Sequence, residues 1–186
     1  MISSDYSKYL IRVLEENNPN LEEIVQKVLA CIERGSSIWI MGNGGSASTA
    51  EHFETDLSFV RLGNSIPTLK VSSLSTNSAL ITAIANDIGF EFVFSHQILR
   101  KAVAGDLLIA ISASGNSENL IRATQVAKQL DLVTIALLGF DGGRLAGLVD
   151  VSAIVTTEIG KYGPVEDIHL SLCHEISARV CQALTQ

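Results

Sequence analysis

The sequence predicts an α/β protein: a doubly wound five-stranded parallel sheet preceded by extra N-terminal helices. Three observations carry this. Two uninterrupted apolar runs, Leu107-Leu108-Ile109-Ala110-Ile111 and Val133-Thr134-Ile135-Ala136-Leu137-Leu138, have strand length and little alternation, the pattern of strands covered on both faces. From Ser36 onward, strand-like and helix-like segments alternate. Turns rich in glycine or hydroxyls follow two of the strands, where open α/β sheets place their ligands.

Taken in order, residues 5 to 34 carry two helices broken near Asn17-Asn18-Pro19-Asn20, because Pro19 lacks an N–H and biases Asn18 away from the helical region. Leu21, Ile24, Val25, Val28, Leu29 and Ile32 form a broad apolar face on the second helix, closed by Gly35. The first helix carries Tyr6, Tyr9, Leu10, Val13 and Leu14. Helices outside the repeating βα pattern must bury such faces somewhere, and a partner subunit would serve. Ile38-Trp39-Ile40-Met41 reads as the first strand, residues 46 to 59 as a helix, and Pro67-Thr68-Leu69-Lys70-Val71 as the second strand. Helical patterns follow near 77–86 and 90–101, then the central strand at 107–111. A helix from Glu118 to about Leu130 comes next, N-capped by Ser117, then the strand at 133–138. Gly139, Gly142 and Gly143 break the chain, and Val149 to Val155 is the fifth strand. In the last helix, residues 165 to 184, the apolar residues Ile168, Leu172, Ile176, Val180 and Leu184 recur every four positions. No internal repeat, low-complexity tract or linker divides the chain. One domain over 1–186 is expected, with helices over 1–35 and the α/β core over 36–186.

Composition narrows the function. With 47% hydrophobic and 18% charged residues, the 186-residue chain has the make-up of a folded globular protein. A net charge of −7 argues against a broad basic surface for nucleic acid, and obliges a phosphorylated ligand to find local donors. No apolar run reaches transmembrane length, and MISSDYSKYL lacks a basic segment followed by a hydrophobic one. A cytoplasmic location without membrane contact is therefore expected. Cys31, Cys173 and Cys181 are odd in number and lack C-x-x-C spacing, so they read as small core residues.

Two turns stand out chemically. Ser112-Ala113-Ser114-Gly115-Asn116-Ser117 offers hydroxyls, backbone N–H groups and the positive end of a helix dipole, a phosphate cradle; an ordinary capped βα turn is the alternative. Gly42-x-Gly44-x-x-Ala47 matches a dinucleotide fingerprint after a strand, but no Asp or Glu occurs between Asp56 and Asp87 to hold a ribose. No G-K-[ST] follows, so a P-loop fails as well. No nucleotide cofactor is expected, and this turn either lets another polar ligand approach closely or is structural.

Among ionisable residues, His52 and Asp56 lie four apart on one helix face, a spacing suited to two ligands of one metal or to an acid orienting an imidazole. A plain surface pair is the alternative. Glu51 and Glu54 fall on other faces and read as solvated charges. On the last helix, Glu166 and His174 are eight apart, near one broad face but roughly 12 Å along the axis. Glu166 can equally complement the helix dipole. His169 reads as an interface contact, and His96 as structural or surface.

Gly42-Asn43-Gly44-Gly45-Ser46-Ala47, His52-Phe53, Leu80 through Asp87, Ser112 through Ser117, Asp141-Gly142-Gly143 and Glu166 through His174 occur in one order across almost the whole chain. That combination resembles the sugar isomerase (SIS) domain family, and within it the phosphoheptose isomerases. The resemblance implies a SIS-type, flavodoxin-like sheet and a site for a sugar phosphate. Ser112, Ala113, Ser114 and Ser117 would surround the phosphate, and Asn43, Gly44, Gly45, Ser46, Asn86, Asp87 and Glu166 the sugar. It also implies a homotetramer with sites completed across subunits, which would occupy the N-terminal helices and let His174 meet a neighbour's residues. Some members bind zinc through a His and a Glu four apart plus a Gln and a His on the last helix. The implied zinc ligands here are His52, Asp56, Glu166 and His174. Two positions depart from that pattern, since the family's glutamate is Asp56 and its glutamine is Glu166, as though a carboxylate had been exchanged. An additional anion strengthens divalent metal binding or raises the pKa of a neighbouring carboxylate.

The activity so implied is aldose–ketose isomerisation, sedoheptulose 7-phosphate to a manno-heptose 7-phosphate through an enediol. It needs a group to remove the proton beside the carbonyl, a second to move protons between oxygens, and a metal or hydrogen-bond donors for the oxyanion. His174 is expected as one acid/base, with Glu166 or Asp56 as the other. The main alternative is a non-catalytic SIS protein that binds a phosphosugar or a partner, as one branch binds a replication initiator. His52 and His174 favour chemistry over that reading. An isomerase of another sugar phosphate is the third.

Overall fold

A computed structural model describes residues 4–17, 19–59 and 69–185. Helices α1 (Ser4–Asn17) and α2 (Glu22–Glu33) lead into β1 (Ser37–Gly42), α3 (Gly45–Ser58), β2 (Lys70–Ser73), α4 (Ser78–Asp87) and α5 (Ser95–Lys101). Then follow β3 (Leu107–Ser112), α6 (Glu118–Gln129), β4 (Val133–Gly139), α7 (Gly143–Ala146), β5 (Val151–Val155) and α8 (Tyr162–Thr185). The strands form one parallel sheet in the order β2-β1-β3-β4-β5. This is the doubly wound architecture that the apolar runs predict.

Every residue of β3 is buried, because both faces of the sheet are covered. Side chains alternate across a strand. Leu107, Ile109 and Ile111 therefore join one core with Ile24, Phe53 and Ile176, while Leu108 and Ala110 join a second with Ile98, Leu120 and Ala123. The order reverses between β1 and β3, whose connections leave on opposite faces of the sheet. A crevice opens at that point beyond the strands' C-terminal ends. There Gly42 pairs with Ile111, so the glycine turn and the serine turn lie side by side.

Several local expectations change. The second strand is Lys70–Ser73, later than expected; Pro67 and Thr68 lie outside the described residues. The stretch 90–101 divides into a 3-10 turn at Phe90–Phe92 and α5, with Val93 and Phe94 between them buried in the second core. α8 begins at Tyr162, three residues earlier than the apolar period indicates. Pro164 stands in its first turn, where a missing N–H costs no hydrogen bond.

The face of α2 is filled by its own chain, since Ile24, Val25 and Val28 are buried in the first core. α1 docks on α8 and β5. Tyr6 Oη donates to Asp167 Oδ2 (2.5 Å), the Thr156 N–H donates to Asn17 Oδ1 (2.6 Å), and Val13 is buried. Ile11 and Leu14 on α1 remain exposed. Of the cysteines, Cys31 and Cys173 are core residues whose thiols burial pushes up, Cys31 to about 11, whereas Cys181 is only half-buried.

Candidate active site

The crevice has a hydroxyl-rich floor. Ser112 Oγ, at the end of β3, accepts the Gly115 N–H (3.0 Å), and Ser114 Oγ accepts the Asn116 N–H (3.3 Å). Gly115 has φ +62°, and a Cβ there would run into the Gly142 carbonyl, so the Asp141-Gly142-Gly143 turn is packed directly behind the serine turn. Ser117 occupies the N-cap of α6 with extended backbone, yet its hydroxyl makes no capping bond. The Leu120 N–H that a capping hydroxyl would take is shared between Asn119 Oδ1 (3.0 Å) and the Ser117 carbonyl (3.1 Å). A cavity of about 180 Å³ results, bounded by Asn43, Ser46, Ser112, Ala113, Ser114, Ser117, Tyr162 and Glu166. Its polar groups are hydroxyls, one amide and one carboxylate, and among the described residues no lysine or arginine lines it.

Two helices supply the ionisable groups. α3 and α8 run side by side in the same direction: Glu166, in the second turn of α8, lies against Gly45 at the start of α3, and His174 meets His52 about two turns further on. The Glu166 carboxylate sits so close to Gly45 that a Cβ on residue 45 would collide with it. His52 Nε2 and His174 Nε2 are 2.9 Å apart. Asp56 faces both imidazoles, with Oδ1 3.4 Å from His52 Nε2 and Oδ2 3.7 Å from His174 Nε2. Its Oδ2 is buried and has no hydrogen-bond partner among the described residues. The ligand atoms of these three residues lie within 4.8 Å of one another, a set of two imidazoles and one carboxylate able to hold a divalent cation.

The expected site residues therefore fall into two groups. Asn43, Ser46, the serine turn and Glu166 border the first cavity, with Gly45 beneath the Glu166 carboxylate. His52, Asp56 and His174 form the cluster, and Glu166 stands apart from it toward the serine turn. Asp56 and His174 also border a second cavity of about 340 Å³ with Phe59, Ser177 and Cys181. Gly44 lines a smaller, apolar-walled cavity with Ile81 and Phe94. Asn86 and Asp87 are exposed at the end of α4, where Asn86 Nδ2 donates to Asp87 Oδ1 (2.7 Å), and they line none of these three cavities.

Two readings of single residues are corrected. Glu54 is not a solvated charge: it is half-buried, and its Oε2 accepts the Ser73 N–H (2.8 Å), tying α3 to the end of β2. His169 is fully buried in its own chain rather than at an interface. Burial holds its imidazole down to about 4, against a smaller opposite pull from the Leu138 backbone, with which it makes no hydrogen bond of full geometry. Sequence reasoning also missed Tyr162, which borders the serine cavity and packs edge-on to Phe140 with ring centres 5.2 Å apart. Pro164 two residues later was the available signal for that helix start.

Comparison with known proteins agrees with this geometry. Residues 4–139 match the family described as SIS domain. A phosphoheptose isomerase from Trichlorobacter lovleyi is 38% identical over 162 residues, covering 87% of this chain and 81% of the relative. One from Shewanella sp. ANA-3 is 38% identical over 156 residues, 83% of this chain and 79% of the relative. The solved structure of phosphoheptose isomerase GmhA from Neisseria gonorrhoeae superposes with a TM-score of 0.86 at 32% identity, over 96% of each chain.

Proposed function

This chain belongs to the SIS domain family, and from that premise we propose that it is a phosphosugar aldose–ketose isomerase interconverting sedoheptulose 7-phosphate and D-glycero-D-manno-heptose 7-phosphate. The observation that carries the reading is a hydroxyl-lined cavity with Glu166 on its wall, followed two turns further along α3 and α8 by a carboxylate and two imidazoles. The phosphate rests on Ser114, Ser117 and the N–H groups of the serine turn, at the start of α6. Asn43, Ser46 and the backbone of Gly44 and Gly45 face the sugar chain, and Asn86 and Asp87 approach it only if a loop or a neighbouring subunit brings them in.

Glu166, on the cavity wall, removes the proton from the carbon beside the carbonyl; His174 moves the proton between the two oxygens. Asp56 and His52 hold the His174 ring in place. The cluster fits zinc, because it offers nitrogen and oxygen donors and because Asp56 Oδ2 is a buried oxygen without a hydrogen-bond partner among the described residues. His52, Asp56 and His174 would hold the ion, with Glu166 as a further ligand only after moving toward them. Bound zinc would act as a Lewis acid on the carbonyl oxygen.

The assembly is a homotetramer of single-domain chains in the cytoplasm, without a nucleotide cofactor. Exposed Ile11 and Leu14 on α1 support a subunit contact there, and no helix among the described residues is long and apolar enough to cross a membrane. The test is turnover of sedoheptulose 7-phosphate in deuterated water, followed by NMR. Deuterium at C2 of the aldose and C1 of the recovered ketose is expected from an enediol. A protein that gives neither product nor exchange is not this isomerase, and turnover of only shorter ketose phosphates would move the substrate assignment.

A further inference from the structure

The glycine turn after β1 and the serine turn after β3 are joined by a reciprocal amide pair. Asn43 Nδ2 donates to Asn119 Oδ1 (2.9 Å), and Asn119 Nδ2 donates to Asn43 Oδ1 (2.9 Å). Asn119 is 2% exposed, in the first turn of α6, and does not line the serine cavity; Asn43 does. The pair thus has an inner member that the ligand does not touch and an outer member that it does.

The orientation of both amides is determined. The Leu120 N–H is shared between the Ser117 carbonyl (3.1 Å) and Asn119 Oδ1 (3.0 Å), and a flipped Asn119 amide would set its NH2 group against that N–H, donor to donor, so the oxygen faces Leu120. Its NH2 group must then meet the oxygen of Asn43, and its oxygen the NH2 of Asn43. Each amide gives one N–H and one oxygen lone pair to the other. Asn43 keeps a second N–H and a second lone pair for the cavity, in an arrangement that Asn119 dictates.

We propose that Asn119 is a positioning residue for the isomerase: through the reciprocal amide pair it fixes which donor and acceptor Asn43 presents to the sugar and holds the glycine turn at a set distance from the phosphate-binding serine turn. The inference rests on the isomerase reading for its kinetic consequence, but the coupling between the two turns does not. A free Asn43 amide could rotate by half a turn and exchange donor for acceptor at the same place. Locking it removes that disorder before the ligand arrives.

The test is a double-mutant cycle with two readouts, on the purified full chain. Asn119→Ala should lower kcat/KM for sedoheptulose 7-phosphate by about 10- to 10²-fold, the scale of a misplaced substrate-orienting group. In an Asn43→Ala background the same change should lower it by less than about twofold, because the residue it acts through is already gone. Amide hydrogen exchange at residues 42–47, far in sequence from the substitution, should accelerate in Asn119→Ala without any substrate present. Should Asn119→Ala fold poorly, Asn119→Asp keeps size and the acceptor for the Leu120 N–H but cannot donate to Asn43, and the same pattern is expected. Equal fold-losses in the two backgrounds, or unchanged exchange over 42–47, would overturn the proposal. Wild-type turnover is measured first, so its absence counts against the isomerase reading while the exchange measurement still decides the coupling.

Discussion

The imidazoles of His52 and His174, 122 positions apart in sequence, meet nitrogen to nitrogen at 2.9 Å. Both rings are about half exposed, 46% and 54% by side chain, so they are held by their helices and by Asp56 rather than by burial. Two Nε2 atoms this close share either one proton or one cation. The cation reading predicts that chelator-treated protein takes up about one zinc per chain by calorimetry, and that His52→Ala and His174→Ala each weaken it at least tenfold. Loss of a group that merely supports a ligand commonly costs that much at a metal site, so loss of a ligand itself costs at least as much. Uptake that survives both substitutions would place the ion elsewhere.

The carboxylate of Glu166 against Gly45 gives a second expectation. If Glu166 is the base, Glu166→Gln lowers kcat by at least the ~10²-fold typical of a lost general acid or base. Adding Asp56→Glu, which restores the family pattern at both positions, should recover part of the loss. Gly45→Ala, which forces the carboxylate aside, should reproduce the kcat loss with Glu166 still present. As a mere helix-dipole partner, Glu166 would be worth about 0.3–1 kcal/mol, and its neutralisation would shift the thermal midpoint while leaving turnover intact.

The serines should separate by role. Ser114→Ala and Ser117→Ala should raise KM, each hydrogen bond to a charged phosphate being worth about 1.5–3 kcal/mol. Ser112 is buried and its hydroxyl accepts the Gly115 N–H, so Ser112→Ala should instead lower the thermal midpoint. If the double variant at 114 and 117 binds a sugar phosphate as the parent does, the phosphate lies elsewhere in the crevice.

His169 predicts a pH dependence of stability. Its folded pKa is about 4 against an ordinary 6.5, so between these values the unfolded chain binds the proton and the folded chain does not. Unfolding free energy should therefore fall as pH drops from 6.5 toward 4, by on the order of 3 kcal/mol. Urea denaturation at pH 7.5 and 5.0 checks this, with His169→Leu giving a flatter profile. An identical slope in the variant would assign the dependence to other groups.

The order of strands and helices was legible in the sequence because it is written in local pattern. A strand buried on both faces must be apolar at every position, as 107–111 is, and turns need glycine or hydroxyls. The same logic marks the faces of α2 and α8. Local pattern also singled out His52, Asp56, Glu166 and His174, but it could not say which of them meet. That depends on α3 and α8 lying side by side in the same direction across one face of the sheet, which aligns Gly45 with Glu166 and His52 with His174. The roles of Ser117 and Asn119 were hidden for a related reason. A serine before a helix is a natural cap by sequence, and only the packed turn reveals that the Asn119 side chain, and not the Ser117 hydroxyl, accepts from the Leu120 N–H while pairing with Asn43 from 76 residues away. Periodicity records which side of an element avoids water, whereas a polar contact between distant residues depends on where the completed sheet puts them.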